Sequence, residues 1–203
     1  MKILKVYGDN ISENYLDEIV EVLDNGGIII YPTDTLYALG CDALSNKAIN
    51  NLCKLKGINP DKTYLSIICD SISTAAEYAK FDNNQFRLLK ENTPGAFTFI
   101  FKAASVLPKA FKGRKTVGVR IPDNAIARSI VQHLGRPIIS TTIKYDDEDY
   151  ATNPELIAEA YENSVDVVVD GGIGDVIPST ILDCTGDVPE VIREGKGKIE
   201  LGM

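Results

Sequence analysis

The chain has no tryptophan, a single histidine (His133) and only four cysteines in 203 residues. No two cysteines form a C-x-x-C pair, and one histidine does not complete any of the usual zinc spacings, so the pattern argues against a zinc site. Cys41, Cys53, Cys69 and Cys184 lie far apart and read as buried thiols in a reducing cytosol rather than as a disulfide framework. No run approaches the roughly 18 consecutive apolar residues that a membrane helix needs. The opening MKILKVYGDN reaches Asp9 after a short apolar piece and does not read as a signal peptide. These absences predict a cytoplasmic protein. Repeats, low-complexity tracts and a convincing linker are also missing, and an apolar content of 44% is enough for one sizeable core.

Charge is short in one place. The net charge is −8, which as a whole-molecule field repels nucleic acid. Yet no acid occurs from Asn92 to Pro122, where Lys102, Lys109, Lys112, Arg114, Lys115 and Arg120 stand. Against this basic stretch is the acidic run Asp146-Asp147-Glu148-Asp149. One reading is two solvated segments; the other is a local anion-binding face on an acidic body.

The periodicities alternate between strand and helix. Strands are predicted at Lys2–Tyr7, Ile28–Tyr31, Tyr64–Cys69, Phe97–Lys102, Thr116–Ile121, Ile138–Thr141, Val165–Asp170, Thr180–Asp183 and Val188–Arg193. Helices are predicted after the caps Ser12, Ser45 and Asn124, over Ser73–Ala79 and Asn83–Asn92, and from Pro154 to Tyr161. Lys144–Asn153 reads as an irregular loop. The order is not strict βαβ, so a single α/β domain with a twisted mixed sheet flanked by helices is expected.

Several apolar strands end or begin on small hydroxyls or cations. Ile28–Tyr31 runs into Thr33, Asp34 and Thr35. Ile138-Ile139 runs into Ser140, Thr141 and Thr142, and Ser179 and Thr180 follow Pro178. Thr116 opens the strand that carries Arg120, and Arg193 closes the last one. Taken singly, each hydroxyl is most simply a partner for local backbone. Taken together, strand ends of an open sheet gather at one crevice, where hydroxyls orient a small polar substrate and guanidinium groups hold carboxylate or phosphate. Lys54 and Lys56 close the helix after Ser45, where they complement its dipole or, in the functional reading, send Lys56 toward a phosphate.

Six segments in one order, YPTDTLYALGCDA, TPGAFTFIFKA, TVGVRIPDNAIA, PIISTT, DVVVDGG…PSTILDCTG and VIREGKG, resemble the YrdC-like family of threonylcarbamoyl-AMP synthases, and in particular its YciO branch. The resemblance covers nearly the whole chain. It implies one YrdC-like domain over residues 1–203, with a concave, positively charged cleft. It implies an activity that joins L-threonine, bicarbonate and ATP, with Mg²⁺ arriving on the ATP, into threonylcarbamoyl-AMP and pyrophosphate. The product feeds the N6-threonylcarbamoyl modification of adenosine 37 in tRNA. The family is also associated with binding double-stranded RNA and tRNA.

By the same resemblance, Thr33, Arg120, Ser140 and Ser179 form the threonine pocket, with Arg120 on the carboxylate. Lys56, Thr116, Thr142 and Arg193 line the nucleotide, and Lys56 and Arg120 carry the catalysis. No protein metal site is implied.

The sequence departs from the family twice. The arginine of the K-x-R motif is Ile58, and the asparagine of the S-A-N motif is Lys144. Lys54 is the candidate substitute for the missing arginine, without its planar fork, and Lys144, in place of the asparagine, can donate to phosphate but offers no amide carbonyl. Three functions therefore stand side by side: a synthase, an RNA-binding paralogue that keeps the cleft without the chemistry, and a nucleotide-sensing protein.

Overall fold

A computed structural model of the chain describes residues 1–199. In chain order its elements are β1 (Lys2–Lys5), α1 (Glu13–Asp24), β2 (Ile29–Tyr31), β3 (Ala38–Gly40), α2 (Asn46–Lys56), β4 (Ser66–Ile68), α3 (Ile72–Tyr78), β5 (Ala79–Lys80), α4 (Asn83–Asn92), β6 (Phe97–Ala103), a 3₁₀ turn (Lys109–Phe111), β7 (Thr116–Arg120), α5 (Ala125–Leu134), β8 (Ile138–Thr142), α6 (Asp149–Thr152), α7 (Pro154–Tyr161), β9 (Val167–Asp170), β10 (Thr180–Asp183) and β11 (Glu190–Arg193). Side-chain oxygens cap the helices where the sequence offers them. Ser12, Ser45, Ser71, Asn124 and Asn153 each accept a backbone N–H of the following turn. Asp82 and Gln85 form a reciprocal capping box at α4.

The strands join in the order β1-β9-β2-β3-β8-β4-β7-β6-β10-β11, with β5 beside β6. Pairings of both senses occur: β1 and β2 run parallel to β9, while β3, β8 and β4 alternate in direction. The sheet is therefore mixed, as expected.

Several details differ from the sequence reading, among them Ala79, which is expected to end a helix and instead opens the short strand β5. The apolar return after the Thr33–Thr35 corner is a strand of its own, β3, antiparallel to β2. Tyr64 lies outside β4, under the Arg114 guanidinium, whose carbon is 3.7 Å from the ring centre. Within the expected irregular loop, Asp149–Thr152 is one helical turn. The N–H groups of Ala151 and Thr152 both reach the Glu148 carbonyl, and Ala151 is fully buried.

Register divides the side chains between two faces, because cross-strand partners point the same way and neighbours along a strand point oppositely. One face carries Ile30, Leu39, Ile139, Ile67, Val117, Val119, Phe97, Phe99 and Phe101. It is closed by α2, α3, α4 and α7 in the larger core. The opposite face carries Leu4, Val167, Ile29, Tyr31, Ala38, Ile138 and Ile68 under α1 and α5. That second cluster ends at Ile68 and Ile138. Beyond it the same face continues as Ser140 opposite Ser66, Ser66 opposite Gly118, and Lys102 opposite Thr116. Arg120, Thr98 and Arg193 lie on it as well, interrupted by Ile100 and Ile181.

Candidate active site

The corner after β2 is built from its own hydroxyls. Pro32 stiffens the exit of the strand. The Thr33 hydroxyl donates to the Leu36 carbonyl at 2.8 Å and accepts the Thr35 N–H at 3.0 Å. Thr33 therefore shapes the turn, the local-backbone role that Ser and Thr most often take.

What the turn presents is Asp34. Its Oδ1 accepts from Arg120 Nη2 at 2.9 Å, and its Oδ2 accepts the Asp123 N–H at 3.0 Å. Arg120 Nη2 also donates to Thr35 Oγ1 at 3.1 Å. Both side chains of this ion pair are 9% exposed. Arg120 Nε is buried with no partner.

A second guanidinium stands close by. Arg193 donates through Nε and Nη2 to the Ser179 carbonyl at 3.1 and 2.7 Å, and through Nη2 to Ser179 Oγ at 3.2 Å. Burial, and then the neighbouring Arg120 guanidinium, hold Arg193 below its ordinary pKa. Ser179 Oγ in turn lies 2.9 Å from Thr98 Oγ1. Asp34 thus pairs with Arg120, while Arg193 is anchored on Ser179 and makes no ion pair among the described residues.

The sequence around Arg193 is held by close approach. A Cβ on Gly195 would lie 2.2 Å from the Pro178 carbonyl oxygen. Glycine lets that strap lie against Pro178–Thr180, where Thr180 Oγ1 accepts the Gly195 N–H and donates to the Gly197 carbonyl. From the strap, Lys196 reaches the Asp34 carbonyl at 2.7 Å and the Asp175 carboxylate at 2.8 Å. A cavity of about 440 Å³ opens between this lysine, the Thr33–Thr35 corner and the Gly174–Val176 loop.

The other group of predicted residues gathers at the exit of β8. Lys56, the last residue of α2, donates to the Thr142 carbonyl. Burial, and then Lys144, hold Lys56 below its ordinary pKa. Lys144 Nζ lies 3.5 Å from where a Cβ on Gly57 would stand. Ile58 is half-buried and packs against the edge of the larger core. Lys54 is exposed and lies two residues from Lys56, a spacing that does not share a helix face.

Between the two ends run Ser140, Ser66, Gly118 and Thr116. A Cβ at Gly118 would sit 2.4 Å from Ser66 Oγ, so only glycine fits beside that serine. Among the described residues three buried side-chain polar atoms lack a hydrogen-bond partner: Tyr31 Oη, Thr116 Oγ1 and Arg120 Nε. All three residues belong to this one face. Unpaired buried polar atoms are rare, and of these Tyr31 Oη has the Ser140 hydroxyl as its neighbour.

The structure therefore brings Arg120, Arg193, Ser179 and the Thr33 corner together, and separately Lys56, Thr142 and Lys144, with Ser140 and Thr116 on the face between. Sequence reasoning left Thr35, Thr98, Lys196 and, above all, Asp34 without a role. The signal for Asp34 was an acid set among hydroxyls at a strand end. No set of His, Cys, Asp and Glu among the described residues is arranged to hold a metal ion. The acidic run after Lys144 is exposed, and its Asp147 caps the Tyr150 N–H at 3.1 Å.

This mixed sheet, covered by helices across one face and only as far as Ile68 and Ile138 on the other, where small polar residues follow, defines a class, and the comparisons agree on it. Residues 21–195 match the Sua5–YciO–YrdC family, described as "Telomere recombination". The chain belongs to that family. It is 36% identical to YciO of Escherichia coli over 198 residues, 96% of each chain. It superposes on the crystal structure of E. coli YciO with a TM-score of 0.90, covering 98% of both chains. It is 27% identical to the threonylcarbamoyl-AMP synthase of Bacillus subtilis over 92% of its own length and 56% of that protein's. It also superposes on P. abyssi Sua5 complexed with L-threonine, with a TM-score of 0.87 at 27% identity, over 96% of this chain and 58% of that one.

Proposed function

We propose that this protein is a threonylcarbamoyl-AMP synthase-like enzyme that uses the polar face as its cleft. The observation that carries the reading is the pair of cationic ends, Arg120 with Arg193 and Lys56 with Lys144, joined by a floor of hydroxyls and glycine. The B. subtilis synthase and the L-threonine complex of P. abyssi Sua5 support it.

In this reading the carboxylate of L-threonine is drawn to the excess charge at Arg120 and Arg193, and Ser140 and Ser179 orient its polar groups. The Thr33 corner holds that pocket in shape. The amine of threonine captures CO₂ from bicarbonate as a carbamate. A carbamate oxygen then attacks the α-phosphorus of ATP, forming one P–O bond as the bond to pyrophosphate breaks. Lys56, Thr116, Thr142 and Arg193 line the nucleotide, and Lys56 stabilises the charge that develops on phosphate. Mg²⁺ enters with ATP as part of the substrate. No covalent enzyme intermediate is needed, so the four buried free thiols keep a structural role that suits a reducing cytoplasm. The product would supply threonylcarbamoyl transfer to tRNA.

The test is incubation with ATP, L-threonine, bicarbonate and Mg²⁺, with mass-spectrometric detection of threonylcarbamoyl-AMP. Product that disappears in Arg120→Ala is expected. Folded protein that makes none overturns the synthase reading.

One observation favours a second reading, an RNA-binding paralogue. Lys109, Lys112 and Lys115 are exposed on the β6–β7 loop and pair with no carboxylate among the described residues. Arg114 is instead held by Tyr64 and the Lys62 carbonyl. Phosphate contacts by these lysines would give an RNA affinity that falls steeply with salt, and each lysine removed would flatten the slope by about one.

A further inference from the structure

The β6–β7 loop encloses a cavity of about 330 Å³ that none of the cleft residues lines. Its walls are apolar. Leu107 and Phe111 are buried members of the larger core, and Ala103 and Ala104 stand at the exit of β6. Ala103 alternates along β6 with Lys102, which lies on the polar face, so this wall belongs to the core side of the sheet. The rim is cationic. Lys80 of β5 and Lys112 and Lys115 of the loop line the cavity and are exposed, and no acid lines it.

None of these three lysines makes an ion pair among the described residues. Elsewhere on this chain of net charge −8, Lys2, Lys5, Arg128, Arg136 and Lys196 are all paired with carboxylates. Lys115 is also the one non-glycine residue with a positive φ (57°) among the described residues. Glycine takes that conformation freely, whereas a Cβ makes it costly. The turn itself uses only the backbone of residue 115. Its N–H donates to the Phe111 carbonyl at 3.0 Å, and its carbonyl accepts the Ala103 N–H at 2.9 Å. A lysine held in that conformation, with its side chain on a cavity, points to a task for the side chain.

Concave apolar pockets with a few placed polar groups are the ordinary form of a small-molecule site. A neutral apolar ligand would leave the three cations without a partner. Nucleic-acid phosphate would meet Lys112 and Lys115 but leave the apolar wall in water. We infer that this cavity binds a small amphipathic carboxylate, with an apolar body of about six to ten carbons on Leu107 and Phe111 and its carboxylate among Lys80, Lys112 and Lys115. The site is separate from the cleft and independent of the synthase reading.

Calorimetric titration of the full chain with octanoate, 1-octanol and acetate tests it. Octanoate should fill one site at least fivefold more tightly than 1-octanol, and acetate should not saturate. An apolar hole without anion recognition would prefer the alcohol, because a carboxylate is costlier to desolvate; that order, or no octanoate binding, overturns the inference. Lys115→Gly should weaken octanoate about three- to fivefold, the worth of one exposed ion pair, while Tm stays at or above the parent's because the backbone strain is relieved. Unchanged octanoate affinity in that variant overturns the inference as well. Lys109→Gln lies on the same loop but outside the lining and should leave the affinity unaltered. A loss equal to that of Lys115→Gly would mean diffuse attraction in place of a site. Ala104→Leu fills the cavity without changing charge and should abolish binding; folded Ala104→Leu that binds octanoate like the parent places the ligand elsewhere and removes the proposal.

Discussion

Replacing Asp34 by asparagine removes one charge and almost no volume, and it acts on the most buried ion pair described. Arg120 is 7% exposed as a residue and its side chain 9%. It keeps only the Thr35 hydroxyl as a neutral acceptor, and the Arg193 guanidinium stays close. Breaking a buried pair by removing one partner costs about 3–5 kcal/mol, because the surviving charge is left uncompensated in low dielectric. Asparagine retains one carbonyl oxygen for either Arg120 Nη2 or the Asp123 N–H, but not both. The lower end, about 3 kcal/mol, is therefore the expected loss, or about 6–12 °C in Tm for a domain of this size. Urea unfolding followed by circular dichroism reads it directly.

The same substitution carries a functional signature. With the internal carboxylate gone, a ligand carboxylate at Arg120 supplies the missing charge, so L-threonine should raise the Tm of Asp34→Asn by more than it raises the parent's. A loss below about 1 kcal/mol, the usual worth of a surface pair, together with an unchanged response to L-threonine, would refute the argument that Arg120 is a strongly held charge awaiting an anion.

Two other outcomes follow from the geometry. Gly118→Ala places a methyl 2.4 Å from Ser66 Oγ and 3.2 Å from Thr98 Cγ2; overpacking of this kind costs about 1–3 kcal/mol, and Ser66→Gly in the same chain should return most of it, as read by Tm. Burial pushes all four thiols up, Cys184 to about 12. The native protein should therefore not react with a thiol reagent at pH 8, and four equivalents should appear on denaturation. Because the unfolded thiols ionise near 9.0 while the folded ones stay protonated, their contribution to stability is complete below that pH and falls as pH rises above it. A flat urea midpoint between pH 8 and 10.5 would contradict this.

The sequence is legible where local chemistry writes a boundary. Helix α4 begins and ends on its predicted residues because Asp82 and Gln85 form a capping box, and α7 does so because Pro154 opens it behind Asn153. Strands β3 and β5 were not separable, since three and two residues carry no readable period. The charged residues of the site were visible as candidates, but their partners were not. The Arg120–Asp34 pair spans 86 residues of sequence, and the hydrogen bond from the Lys144 N–H to the Tyr161 hydroxyl joins a strand exit to a helix. A tyrosine on an apolar helix face reads as core, and Tyr161 is core; only its hydroxyl reaches elsewhere.

The site is nevertheless encoded in strands more than in loops. In β6 the alternation sets Phe97, Phe99 and Phe101 on one face, where the rings stack at 5.8 and 6.2 Å between centroids, and Thr98 on the other. In β7 it sets Val117 and Val119 against Thr116, Gly118 and Arg120, and in β8 it sets Ile139 against Ser140 and Thr142. One face gains by being covered, at about 25 cal/mol per Å² of apolar surface. The other gains little, because hydroxyls and glycine offer almost no apolar area to bury. Helices α1 and α5 accordingly cover this face only as far as Ile68 and Ile138. The end of helix cover on this face thus has the same cause as the core behind it: a two-residue period that places aromatic and branched side chains on one side and small polar ones on the other. The two ends are then charged by residues whose anchors are backbone carbonyls, Ser179 for Arg193 and Thr142 for Lys56. A carbonyl orients a cation without neutralising it, so on the proposed reading these are the charges an anionic ligand would meet.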